Sequence, residues 1–160
     1  MTTMTIQDAA TEFLSHQRIA VTGVSRTPAS HGGNIVYQRL KERGYQVFAV
    51  NPNADEVEGD PCYHSVAEIP EGVEAVVIGT RPETAEQTMH ECVELGIHDV
   101  WMHRSFGKGS VSDDATDYGR SHGVTVIDGG CPLMFEPTSD RAHQMIKHVC
   151  TWNHHVPKKV

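Results

Sequence analysis

Apolar residues along this chain follow two alternating periods. Short, mostly unbroken apolar runs at 19–23 (Ile-Ala-Val-Thr-Gly), 46–50 (Gln-Val-Phe-Ala-Val), 75–78 (Ala-Val-Val-Ile), 98–102 (His-Asp-Val-Trp-Met) and 124–128 (Val-Thr-Val-Ile-Asp) have the length of buried strands. Between them the apolar positions recur at helical spacing, which predicts helices over about 6–14, 33–43, 82–95, 112–122 and 140–151. Pro82 suits a first helical turn, and Gly96 and Gly123 suit the position just past a helix end. Strands that alternate with helices of this length are joined by right-handed crossovers into a parallel sheet. The expected fold is therefore a doubly wound, Rossmann-like α/β domain with helices on both faces. One domain over residues 1–160 is expected, with a core at about 13–136 and loose ends at 1–5 and 153–160.

In a sheet of this kind, ligands bind outside the carboxyl ends of the strands, where the strand order reverses. The residues that suit ligand binding fall at these ends. Gly23, Val24, Ser25 and Arg26 follow the first strand, and His31, Gly33 and Asn34 open the helix after it. Asn51 and Pro52 follow the second strand, Thr80, Arg81 and Pro82 the third, His103 the fourth and Cys131 the fifth. A Gly/Ser loop that runs into a helix N-terminus offers backbone N–H groups and a positive dipole end to a diphosphate. Arg26 and His31 would add charge or donors. The loop is not the dinucleotide fingerprint G-x-G-x-x-G, because Ser25 replaces the second glycine and the next glycines come at Gly32 and Gly33. Asn51 stands where NAD enzymes place an acid on the ribose hydroxyl, and an amide does not repel a ribose phosphate. These features indicate a nucleotide diphosphate other than NAD.

Composition narrows the partners. The chain has 21 Asp and Glu against 13 Lys and Arg, a formal charge of −8, which argues against binding nucleic acid through a basic face. No apolar run reaches the ~20 residues that span a bilayer, and the first residues lack the basic and apolar regions of a signal peptide. A cytoplasmic protein without a membrane partner is the expectation. Cys62, Cys92, Cys131 and Cys150 form no C-x-x-C pair, so reduced thiols are expected rather than disulfides or a zinc ribbon. The 11 histidines show no convincing ligand spacing, and no metal site is assigned.

Taken together, Gly23-x-Ser25-Arg26 with Gly33, Val50-Asn51-Pro52, Gly59 with Cys62-Tyr63, Thr80-x-Pro82, and Gly96-Ile97 leading to Trp101 carry a family resemblance. Over about residues 13–136 the chain resembles the CoA-binding family, small stand-alone proteins similar to the nucleotide-binding domain of the succinyl-CoA synthetase alpha subunit. The resemblance implies that CoA or an acyl-CoA is the ligand. It also implies that the first loop holds the diphosphate, with the adenosine end near the second and third strand ends. A pantetheine arm crossing the strand ends would bring its thiol towards Cys131. The chain departs from the family at Trp101-Met-His103-Arg104, where Trp-x-Gln is common.

The synthetase resemblance does not extend to a domain bearing a phosphorylated histidine, so the expectation is a non-catalytic binding, carrier or sensor protein with no catalytic residue assigned. Two alternatives stay open. One is an enzyme of CoA-thioester chemistry acting with a partner, in which His103 and Cys131 would pair as base and thiol. The other is an NAD(H)-responsive nucleotide-binding regulator. Assembly into a homo-oligomer is also left open.

Overall fold

The computed structural model describes residues 4–26, 32–104, 109–135, 144–147, 149, 156, 157 and 160. The first helix, α1 (Ile6–Leu14), starts where Thr5 Oγ1 accepts the Asp8 N–H, and it turns Ala9, Ala10, Phe13 and Leu14 inwards. Then follow β1 (Arg18–Thr22), α2 (Gly32–Glu42), β2 (Gln46–Val50), β3 (Glu56–Val57), β4 (Asp60–Tyr63), β5 (Ala75–Ile78), α3 (Pro82–Glu94), β6 (Asp99–Met102), α4 (Asp113–Ser121) and β7 (Thr125–Asp128). Short 3₁₀ turns lie at Val66–Glu68 and Pro132–Met134. Pro82 occupies the first turn of α3 as its fixed φ favours, and Ser112 Oγ caps α4 by accepting the Ala115 N–H. The expected helix at 140–151 is helical at 144–147 and 149, and its other residues lie outside the described set.

Among the described residues the sheet has seven strands in the order β3-β4-β2-β1-β5-β6-β7. Every pairing is parallel except β3 with β4, which is a hairpin. From β1 the chain first winds outwards through β2, then returns to add β5, β6 and β7 on the other side, so the order reverses between β1 and β5. This is the expected doubly wound α/β fold. Two strands lie in what the sequence presents as a loop. β4, Asp-Pro-Cys-Tyr, has no apolar alternation and carries a proline. It meets β2 only at Ala49↔Cys62 and Val50↔Tyr63, close to the edge, where proline is tolerated.

Strand residues alternate between two cores. Ile19, Val21, Ala75, Val77, Trp101 and Ile127 face α1 and α2, whereas Ala20, Val76, Ile78, Val100, Met102 and Val126 face α3 and α4. Trp101 anchors the first core: its ring meets Phe13 edge-on at 5.3 Å and Phe135 at 5.5 Å, while Nε1–H donates to the Gly129 carbonyl at 2.9 Å. No helix among the described residues is long and apolar enough to cross a membrane.

Candidate functional site

The site forms where β1 and β5 end side by side, and main chain packed against main chain builds it. Gly23, directly after β1, has φ +76°, and a Cβ there would stand 2.4 Å from the Gly79 carbonyl oxygen. A Cβ on Gly33, in the first turn of α2, would stand 2.8 Å from the Gly23 oxygen, and one on Gly79 would stand 2.7 Å from the Thr22 oxygen. These are backbone atoms that cannot swing aside. Three glycines thus let the first loop, the end of β5 and the start of α2 meet closely. Thr22 Oγ1 adds a tie by accepting the Gly79 N–H at 3.2 Å.

If glycine were needed only for ligand approach, larger residues at Gly23 or Gly33 would spare the fold. Because the clashes are with main chain, such residues would disturb the fold as well. Gly79, which the sequence reading missed, belongs to the same set. A glycine directly after an apolar strand was its one visible signal.

Asn34 fixes the loop. Its side chain is fully buried; Oδ1 accepts the Ser25 N–H at 2.8 Å and Nδ2 donates to the Ser25 carbonyl at 2.9 Å. The Ser25 amide is therefore taken by protein and is not available to a phosphate. Asn51 has a comparable role: Nδ2 donates to the Val24 carbonyl at 2.9 Å, and Oδ1 accepts the Asn53 N–H at 2.8 Å. The amide expected to face a ribose phosphate instead joins the end of β2 to the first loop. One N–H of Asn51 remains for other partners. Val24 is buried and Arg26 exposed, and His31 lies outside the described residues.

Between the ends of β1 and β2 and the first turns of α3 lies a cleft of about 170 Å³, lined by Thr22, Val50, Pro52, Thr80, Thr84 and neighbouring residues. Pro52 and Thr80 were expected here; Thr22, Val50, Thr84 and the Ser65–Val66 turn were not. Of these only Val50 stands in a motif read from the sequence; the Ser65–Val66 turn reaches the cleft because the short helix at Val66–Glu68 packs on α3. The turn is pinned because the Glu91 carboxylate accepts the Val66 N–H at 2.7 Å. Thr80 Oγ1 is buried without a hydrogen-bond partner among the described residues. An unpaired buried hydroxyl costs about 1–3 kcal/mol. Arg81 is exposed at the N-cap of α3 and contributes no side-chain cap.

His103 and Cys131 lie at the neighbouring strand ends, as expected. His103 is part-buried, its N–H donates to the Ile78 carbonyl at 3.0 Å, and its own carbonyl accepts the Ser110 N–H at 2.8 Å. Cys131 is 1% exposed and packed in the apolar cluster with Leu133, Met134 and Phe135. Burial holds Cys62 above the usual thiol pKa and pushes Cys92 up to about 12. No cluster of three or more His, Cys, Asp or Glu that could hold a metal ion occurs among the described residues.

Known proteins resemble this chain in sequence and in fold. The chain is 38% identical over 81 residues to acetate–CoA ligase (ADP-forming) II of Archaeoglobus fulgidus, a match covering 49% of this chain and 12% of the ligase. It is 38% identical over 89 residues to the alpha subunit of acetate–CoA ligase (ADP-forming) II of Pyrococcus furiosus, covering 55% of this chain and 19% of that subunit. The chain thus spans less than a fifth of the length of these ligases. A hypothetical protein from Pyrococcus horikoshii OT3 superposes with a TM-score of 0.73 at 26% identity, covering 92% of this chain and 99% of that one. The family model for the CoA binding domain matches residues 17–137, the span that contains the glycine contact, the first loop and the cleft, and the chain belongs to that family.

Proposed function

We propose that this protein binds coenzyme A, free or acylated, and acts as a non-catalytic carrier or sensor. The diphosphate sits against the first loop, the adenosine enters the cleft between Pro52 and Thr80, and the pantetheine arm leads towards the ends of β6 and β7. The observation that carries this reading is the contact of Gly23, Gly33 and Gly79. It brings the first loop and the start of α2 together at the reversal of strand order, where backbone N–H groups and the positive end of a helix suit a diphosphate. Beside this contact the Thr80 hydroxyl has no partner among the described residues, and a ligand polar group would relieve it. Arg26 and Arg81 are exposed just past the ends of β1 and β5 and supply positive charge there. Because Asn51 faces protein with two of its groups, it contributes by shaping the loop and by the absence of a carboxylate.

Isothermal titration with CoA, acetyl-CoA and NADH tests the reading. CoA and its thioester bind more tightly than NADH, and equal or tighter NADH binding overturns the assignment. Arg26→Ala weakens CoA binding by about 1–3 kcal/mol, the scale of a hydrogen bond to a charged group. Acetyl-CoA incubated with the protein releases no thiol above the buffer rate. Turnover in that assay would replace the carrier with an enzyme.

A further inference from the structure

Glu58 occupies an unfavourable backbone conformation and makes contacts that no turn requires. The hairpin joins β3 to β4 through Glu58 and Gly59, with φ values of 54° and 80°. Two consecutive positive φ angles suit a tight hairpin turn, whose first position favours Asn, Asp or Gly. A glutamate there adopts the left-handed region at a cost. Its carboxylate leaves the hairpin and reaches α2, where Oε2 accepts from Gln38 Nε2 at 2.6 Å and Oε1 accepts from Asn34 Nδ2 at 3.3 Å. The Asn34 amide is the group that holds both backbone atoms of Ser25 in the first loop.

We infer that Glu58 is a positioning residue for the nucleotide loop, acting through Asn34; the inference rests on the CoA-binding reading above. Two donors converge on Glu58, and a carboxylate, which accepts at both oxygens, satisfies both. With the second N–H of Asn34 held by Glu58, the amide keeps its oxygen on the Ser25 N–H and its nitrogen on the Ser25 carbonyl. The loop is then set before any ligand arrives, so its ordering costs less on binding. Asp60 secures the same hairpin on α2, accepting from Tyr37 Oη at 2.7 Å and Lys41 Nζ at 2.5 Å. The hairpin therefore stays docked when Glu58 is changed.

Charge and positioning give opposite signs, which makes the inference testable. CoA is strongly anionic, so if Glu58 were only a nearby negative charge, its neutralisation would tighten CoA binding. If it positions the loop, neutralisation weakens binding. Glu58→Asn keeps a residue that the turn favours but is too short to reach α2, and Glu58→Gln keeps the length while replacing one acceptor by a donor. Hydrogen exchange of the Ser25 amide is measured by NMR without ligand, beside CoA titration and thermal unfolding.

Both variants should fold with melting temperatures at or above that of the wild type for Glu58→Asn and close to it for Glu58→Gln. The Ser25 amide should exchange at least about tenfold faster, and the Kd for CoA should rise about three- to tenfold, what the loss of one hydrogen bond yields. Unchanged Ser25 exchange, or CoA binding as tight as or tighter than wild type, overturns the inference. If the wild-type protein binds no CoA, the functional reading fails by itself, and the exchange measurement still decides whether Glu58 fixes the loop.

Discussion

Gly79 shows how a single residue can set the site without touching a ligand. Adding a methyl group places it 2.7 Å from the Thr22 oxygen and 3.5 Å from the Gly33 Cα, so β1 and β5 must part at the point where the loop is anchored. Overpacking of this kind costs about 1–3 kcal/mol, and Gly79→Ala should lose about that much stability in urea denaturation and most of its CoA affinity. Gly44→Ala is the control: Gly44 has φ +91° with nothing within 4 Å, so only the backbone conformation is penalised and CoA binding stays intact. A Gly79→Ala protein as stable as the wild type would remove the close approach from the argument. At this scale the sequence located Gly23 and Asn51 just after their strands, and Gly33 and Asn34 at the start of α2. Their partners were not legible, because the main-chain atoms they meet belong to segments distant in the chain, as in the approach of Gly23 to Gly79.

Among the elements, the turn from α1 into β1 is tied across the opposite end of the sheet by His16. Its Nε2 lies 2.7 Å from the Asp99 carboxylate at the start of β6, and Nδ1 lies 3.4 Å from Glu74, just before β5. Burial pulls the imidazolium pKa down, but the two carboxylates outweigh it, and the net shift is above the ordinary 6.5. A group whose folded pKa is raised stabilises fully below its unfolded pKa, and that stabilisation is lost as pH rises through the folded value. Glu74 has the opposite sign: the Arg18 and Gln17 backbone N–H groups, together with His16, hold its pKa below 4.5, and its contribution is lost on acidification. The melting temperature of the wild type should therefore fall relative to that of His16→Gln as pH is raised from about 6 to 9. Parallel pH profiles for the two proteins would show that the ion pair contributes nothing. Neither carboxylate could be assigned to His16 from the sequence, since the partners lie 58 and 83 residues away.

For the molecule as a whole, the two cores decide which thiols can react. The sequence places Cys131 at a strand end beside a Gly-Gly turn, where the structure also has it, and the resemblance implied that a pantetheine thiol would approach it. Its side chain, however, turns into the core that contains Trp101 and Phe135 and is 1% exposed. Thiol–disulfide exchange needs access to the thiolate, so CoA disulfide should leave Cys131 unmodified in the native protein. Peptide mass spectrometry before and after unfolding in urea checks this, with modification expected only after unfolding. An adduct on the native protein would show that the strand end opens to the ligand.

The sequence by itself determined the order of strands and helices, because burying a strand on both faces requires apolar runs and burying a helix requires an apolar stripe; these are local signals. It also placed the singled-out residues beyond the carboxyl ends of strands, which lie on one side of the sheet because the strands run parallel. Only the tertiary structure decided which backbone atoms each glycine approaches, which amides the loop asparagines hold, and which way Cys131 faces. It also revealed β4, which owes its strand state to β2 rather than to its own residues. Those outcomes depend on contacts between distant segments, and neither period nor local composition encodes them.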